Sequence, residues 1–266
     1  MKTALTLLGT GNPGNYPNIF QIANALVVDD FPIIIDCGGG AVQRLSMAHA
    51  SGQEALALDK LNTLLLTHLH PDHTAGLADF IISTWIKGRQ KTLTIYGPAG
   101  IKEMVELLMQ AYKLGIAAHE EQDTPVNGPL RYEVIEYKAG EIIANDALSI
   151  QAFEVSHGSL ETYGLKCVTP NGSIVFSSDT KPHPAVIEHS RNCDILVHEV
   201  YSEQGSQNPR PNNPQAYYRK MHTSTVELAE ISNQAKPKKL ILQHQMHLGA
   251  ISDEEMVKEI TDLYDG

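Results

Sequence analysis

Short apolar runs recur along the chain at 3–8, 25–28, 33–36, 63–67, 93–96, 148–154, 165–168, 173–177, 195–198 and 240–243. Runs of four to eight such residues, rich in Leu, Ile and Val, suit strands and are too short for independent helices. Several are followed by apolar residues at helical period, notably over 41–50, 77–87, 101–114 and 225–235. The chain is therefore expected to be α/β. Helices do not alternate strictly with strands, and 3–8, 25–28 and 33–36 read as a hairpin-like succession, as do 148–154, 165–168 and 173–177. That pattern favours a mixed sheet, or two sheets with helices outside, over a doubly wound parallel sheet. With no repeat and no clear linker, 1–266 reads as one domain.

Composition narrows the partners. The net charge of -11 would on average repel a phosphate backbone, so nucleic acid is disfavoured. The basic run 236–239 contains Pro237 and precedes an apolar strand, which suits a solvated turn. Cys37, Cys167 and Cys193 show no paired spacing and sit in apolar segments, as buried thiols of a reducing compartment would. The apolar start, 1–8, stops at Gly9-Thr10-Gly11, too early for a signal-peptide core, and no run approaches the roughly 20 residues of a membrane helix. A cytoplasmic protein that does not enter membranes is expected.

"GTGNPG", 9–14, has the glycine spacing of a dinucleotide-binding turn. Such a turn must open a helix, which Pro13, Pro17 and the surrounding asparagines forbid, so it reads as a strand-ending loop.

The chemistry sits in "THLHPDH", 67–73, directly after the run at 63–67. His68 and His70, two apart in extended backbone, can point the same way, and Pro71 then turns the chain so that Asp72 and His73 open toward a second position. This mixture of imidazole and carboxylate is one that zinc favours, and one segment can serve two neighbouring metals. Further ligands are expected at the ends of other strands: His157 in "FEVSHGS", Asp179 in "IVFSSDT" and His244 in "LILQHQ".

With these residues in this order, the chain resembles the metallo-β-lactamase fold superfamily over nearly its whole length. The resemblance implies an αββα sandwich of two mixed sheets flanked by helices. It also implies two divalent ions, one on His68, His70 and His157, the other on Asp72, His73 and His244, with Asp179 bridging. Zinc is the first choice, and manganese or iron are compatible with the same ligands. An aspartate at the bridging position, where the β-lactam-cleaving branch has cysteine, argues against β-lactam hydrolysis.

"LGTG", "IDCGGG", "YGPAG", "SHGSLETYG", "DILVHEVY" and "MHTS" are similar to segments of the ribonuclease Z and arylsulfatase-like branch. That likeness gives His222, Asp72 and Glu199 the catalytic roles, with Glu199 orienting His222 and keeping it protonated. Ser224 and Glu227 form an S-x-x-E capping pattern, which places His222 just before a helix. Two departures stand out. Ribonuclease Z carries a basic arm for transfer RNA, and 158–178 leaves no room for it; Ser178 also stands where the branch commonly has glycine.

The expected activity is hydrolysis of a small anionic phosphodiester by a metal-bridging hydroxide. The alternatives are an arylsulfatase or other ester hydrolase and, less favoured, a transfer RNA 3′-processing endonuclease or an iron-dependent oxidoreductase. The irregular segment 202–221 is expected to cover the substrate, with Tyr217, Tyr218 and Arg219 as candidate contacts. Homodimers are common among similar enzymes.

Overall fold

All ten apolar runs contribute to strands in the computed structural model, which describes residues 2–14, 17–121, 128–207, 215–249 and 251–266. Contacts cluster into two units, Met1–Tyr137 and Lys138–Gly266.

The first unit contains β1 (Thr3–Gly9), β2 (Ala23–Val28), β3 (Phe31–Ile35), α1 (Ala41–Ala50), β4 (Thr63–Leu65), α2 (Pro71–Thr74), α3 (Leu77–Ile86), β5 (Leu93–Gly97), α4 (Ile101–Glu121) and β6 (Tyr132–Glu136). Its sheet runs in sequence order, β1 to β6. The pairings β1–β2 and β2–β3 are antiparallel, and β3 to β6 are parallel. Parallel strands covered on both faces need apolar residues at consecutive positions, which is why β4 and most of β3 read as solid runs. Ile34, Leu64 and Ile95 pack in one core with Leu45 of α1, Phe80 of α3 and Val105 of α4.

The second unit contains β7 (Gly140–Ala144), β8 (Ser149–Glu154), β9 (Tyr163–Thr169), β10 (Gly172–Phe176), α5 (Pro184–Ser190), β11 (Ile195–Tyr201), α6 (Glu203–Ser206), α7 (Gln215–Met221), α8 (Thr225–Ala235), β12 (Leu240–Met246) and α9 (Asp253–Thr261). Its sheet has the order β12-β11-β10-β9-β8-β7. The β7 to β10 pairings are antiparallel, whereas β11 runs parallel to both β10 and β12. Leu196 packs with Val186 and Ile231 on one patch, and Val200 with Leu228, Met256 and Ile260 on another.

The expected pair of mixed sheets is therefore present, with differences in detail. β6 and β7 escape a pattern search because each is a sheet edge whose glutamates and exposed positions break the apolar run. α4 continues to Glu121 rather than stopping near Leu114, since helix formers carry it on after its last buried residue, Met109. The segment 202–221 is helical at α6 and α7, and 208–214 lies outside the described residues. The 9–14 loop leads to β2 and not to a helix, as its prolines require. All three cysteines are free and buried. No helix among the described residues is long and apolar enough to cross a membrane.

Candidate metal centre

In the first unit the site grows from the end of β3. Asp36 has a left-handed backbone, φ 60°, while its N–H still donates to the Leu65 carbonyl at 2.9 Å. Its buried carboxylate accepts from the Thr67 N–H at 2.8 Å, the Thr67 hydroxyl at 2.9 Å and His73 Nδ1 at 2.9 Å. With Nδ1 tied to the carboxylate, His73 presents Nε2 as its ligand atom. Pro71 occupies the first position of α2, where a missing N–H costs nothing, and the single turn sets Asp72 and His73 side by side. The turn after Asp36 must pass close to α2: a Cβ on Gly38 would lie 2.2 Å from the Asp72 carbonyl oxygen. The glycines of "IDCGGG" thus serve a close approach as well as a strand-to-helix turn.

The donor atoms converge. His68 Nε2 is 3.1 Å from His70 Nδ1, and His73 Nε2 is 3.6 Å from Asp72 Oδ2. Zinc–ligand bonds of about 2.0–2.1 Å give a tetrahedron with edges of roughly 3.3 Å. Each pair therefore has the spacing of two ligands on one ion.

The second unit contributes its own set. His157 follows β8, and its Nδ1 lies 2.9 Å from the Met221 carbonyl, which leaves Nε2 facing Asp179 Oδ2 at 3.7 Å. Burial pulls His157 below its ordinary value against the opposing pull of the Asp179 carboxylate, so the ring favours its neutral, ligating form. Asp179 follows β10 after Ser178, whose φ is 57°. That conformation suits glycine, and serine adopts it at a cost.

His244 lies inside β12 and not beyond it, contrary to the expectation from "LILQHQ". The partners of Glu199 and Val200 are Gln243 and Gln245, so His244 is the extra residue of a bulge, with φ 46°. The bulge re-aims its side chain within the strand. His244 Nε2 reaches Asp179 Oδ2 at 3.1 Å. One carboxylate oxygen thus lies near both the His157 and the His244 imidazole, as a bridging ligand would.

Glu199, at the centre of β11, is fully buried and accepts from the Thr180 N–H at 2.8 Å. Both its oxygens lie 3.1 Å from His222 Nδ1. Burial, and then the Asp179 carboxylate, push the Glu199 carboxyl well above the usual carboxylate range. His222 sits just before α8, where Ser224 and Glu227 complete the expected capping box. Its position is fixed from both sides: the Thr223 carbonyl accepts from the Tyr201 N–H at 2.9 Å, and the Thr223 hydroxyl donates to the Thr180 carbonyl at 2.7 Å. Ligand atoms of Glu199, His222 and His244 lie within 4.8 Å of one another.

The structure thus brings His68, His70, Asp72 and His73 together in one unit, and His157, Asp179, Glu199, His222 and His244 in the other. Sequence reasoning assigned no role to Asp36 or Thr67. The available signal was an aspartate at the end of an apolar run before three glycines, a stretch that fits either a close approach to the site or a simple strand-to-helix turn. Imidazoles held by their second nitrogen and carboxylates at coordination spacing suit divalent metal ions.

Two mixed six-stranded sheets with helices, and this His/Asp set at or near their strand ends, with His244 at a bulge within β12, define a protein of the metallo-β-lactamase fold. Residues 32–245 match the family described as beta-lactamase superfamily domain, and the chain belongs to that superfamily of hydrolases. It is 30% identical over 247 residues to the ribonuclease Z of Mycobacterium marinum, across 90% of this chain and 85% of that one. Among solved structures, the metallo-beta-lactamase fold protein YhfI from Bacillus subtilis aligns with a TM-score of 0.75 at 18% identity, covering 98% of this chain and 92% of that one. Human tRNase Z, short form, aligns with a TM-score of 0.66 at 19% identity, covering 91% of this chain and 92% of that one.

Proposed function

We propose that the chain cleaves a small phosphodiester as a binuclear metal-dependent hydrolase, with 1–266 acting as one catalytic domain. What carries this reading is the spacing of the donor atoms within each half of the ligand set, 3.1 to 3.7 Å. In this reading His68, His70 and His157 hold one ion, Asp72, His73 and His244 the other, and Asp179 both. Zinc suits the donors best. Bound ions would supply a hydroxide nucleophile at neutral pH and offset the negative charge of the phosphoryl group.

The chain's own residues account for the rest. Asp36 fixes the His73 ring, and the Met221 carbonyl fixes His157. Glu199, whose burial favours the neutral carboxyl, can accept the Nδ1 proton of His222 in a hydrogen bond through its carbonyl oxygen, which directs Nε2 toward the reacting ester. As imidazolium, His222 would give its Nε2 proton to the leaving oxygen while the P–O bond breaks. Asp72, the third residue given a catalytic role, serves in this reading as a metal ligand beside His73. Three buried thiols suit a cytoplasmic setting.

The identity to the Mycobacterium marinum ribonuclease Z favours a second reading, cleavage of a transfer RNA precursor, and tempers the expectation against nucleic acid. The net charge of -11 weighs against it, as does the occupation of 158–178 mainly by β9, β10 and their turns.

The test is turnover of bis(p-nitrophenyl) phosphate, p-nitrophenyl sulfate and a transfer RNA precursor by zinc- or manganese-loaded protein, with Asp179→Ala as control. Turnover of the small diester that is lost in the variant is the expected result. Faster cleavage of the precursor would establish the RNA reading, sulfate turnover the arylsulfatase one, and silence on all three with two metals bound would refute ester hydrolysis of these kinds.

A further inference from the structure

A run of aromatic rings leads away from His222 within the second unit. The His222 ring lies 4.9 Å from that of His157 and stacks at 5.4 Å on His244, with 19° between planes. Tyr217 lies 6.1 Å and Tyr218 6.2 Å from the same ring. Tyr217 and Tyr218 meet edge to face at 5.5 Å, and Tyr218 in turn lies 5.9 Å from Tyr201. His157, His222, His244 and Tyr201 are buried and Tyr218 is half-buried, whereas Tyr217 is 47% exposed. With nearly half of Tyr217 open to solvent, ring surface is left for a ligand to stack on.

The two tyrosines are not free to drift. They lie on α7, whose last turn is joined to the site by the His222 N–H, which donates to the Tyr218 carbonyl at 2.7 Å. Met221, the last residue of that helix, packs against the backbone of Gly158: a Cβ there would lie 2.7 Å from Met221 Cε. The Met221 carbonyl also holds His157. Tyr217 is thereby tied to the residues proposed to hold metal and to donate the proton. Arg219, on the same helix, lies 3.3 Å from Glu203 at the surface, and the subsite does not require it.

We infer that Tyr217 forms an aromatic subsite and that the substrate is an ester bearing a planar ring on the side of His222. This rests on the hydrolase reading above. The ring stacks on Tyr217, and the leaving ester oxygen of that substituent reaches His222 Nε2. A nucleobase and a simple aryl group share this chemistry.

The experiment is calorimetric titration of metal-loaded protein with two matched pairs, phenylphosphonate against methylphosphonate and adenosine 5′-monophosphate against ribose 5-phosphate. Each pair is measured on the wild type, Tyr217→Phe and Tyr217→Ala. Aromatic–ring stacking predicts about tenfold tighter binding of the ringed member, kept in Tyr217→Phe and lost in Tyr217→Ala. Preference within the phenyl pair alone indicates an aryl ester, and preference within the nucleotide pair indicates a nucleoside ester; either supports the subsite. Binding of both members with equal affinity, or a preference that survives in Tyr217→Ala, overturns the subsite and leaves the hydrolase reading standing. Failure of all four ligands to bind removes both.

Discussion

Acid should destabilise this protein through a residue outside the ligand set, His198. It lies in β11, fully buried, between β10 and β12 in the sheet. Its Nδ1–H donates to the Glu199 carbonyl at 2.6 Å, and Nε2 has no hydrogen-bond partner among the described residues. Protonating Nε2 would bury a cation that no acceptor meets. Burial accordingly lowers the ring to about 4. Because the folded value lies below the unfolded one, near 6.5, the unfolded chain binds more protons between those limits. Stability is complete above about pH 6.5 and falls as the pH drops, by about 2 kcal/mol at pH 5 and about 3 kcal/mol at pH 4. His198→Asn keeps an amide N–H able to donate to the Glu199 carbonyl but does not titrate. Urea unfolding of chelator-treated protein at pH 7.5, 6 and 5 should show the wild type losing about 2 kcal/mol more than the variant across that range. Parallel pH profiles for the two proteins would show that His198 is not a source of acid sensitivity.

Three further substitutions probe how the site is held. Asp36→Asn removes the anionic partner of His73 and should weaken zinc binding about 10- to 100-fold in competition with a chromophoric chelator; unchanged affinity would leave Asp36 a purely structural residue. Ser178→Gly places the residue that φ 57° prefers, and the melting temperature should rise by an amount equivalent to about 1 kcal/mol, whereas a fall would mean the serine is not strained there. Glu259 of α9 accepts from the Ser202 and Thr225 hydroxyls and from the Glu203 N–H at 2.9 Å. Glu259→Ala should cost about 2 kcal/mol and speed amide exchange over 202–206 and 222–225; exchange rising evenly along the chain would argue against this local clamp.

The ligands could be found from the sequence because metal chemistry demands particular side chains, and His68, His70, Asp72 and His73 stand within six positions. The strands could be found because buried sheet needs runs of mostly apolar residues, as 25–28 in β2 and Leu64 and Leu65 in β4 show. Edge strands lack that need, so β6 and β7 carried no such mark. α9 did carry one: Ser252 and Glu255 form the same capping box that located α8, but only Met256 and Ile260 of this helix are buried, too few to show a period.

What the side chains could not reveal is how the backbone aims them. Asp36, Ser178 and His244 all have left-handed φ, at 60°, 57° and 46°, and each holds, precedes or is a proposed ligand. None is glycine, and nothing in their identity announces the conformation. A bulge at His244 could not be read from "LILQHQ", because it depends on where the neighbouring strand pairs. Local propensity would place His244 in a regular ladder and Ser178 in an ordinary turn. The surrounding structure overrides both, and local rules are most often broken where function gains from it. The same reasoning accounts for Asp36: in the sequence only the end of an apolar run, it is the carboxylate that sets which nitrogen His73 presents. The three positions therefore mark where stability has been given up for ligand geometry, and Ser178→Gly is the substitution that can recover some of it without removing a ligand.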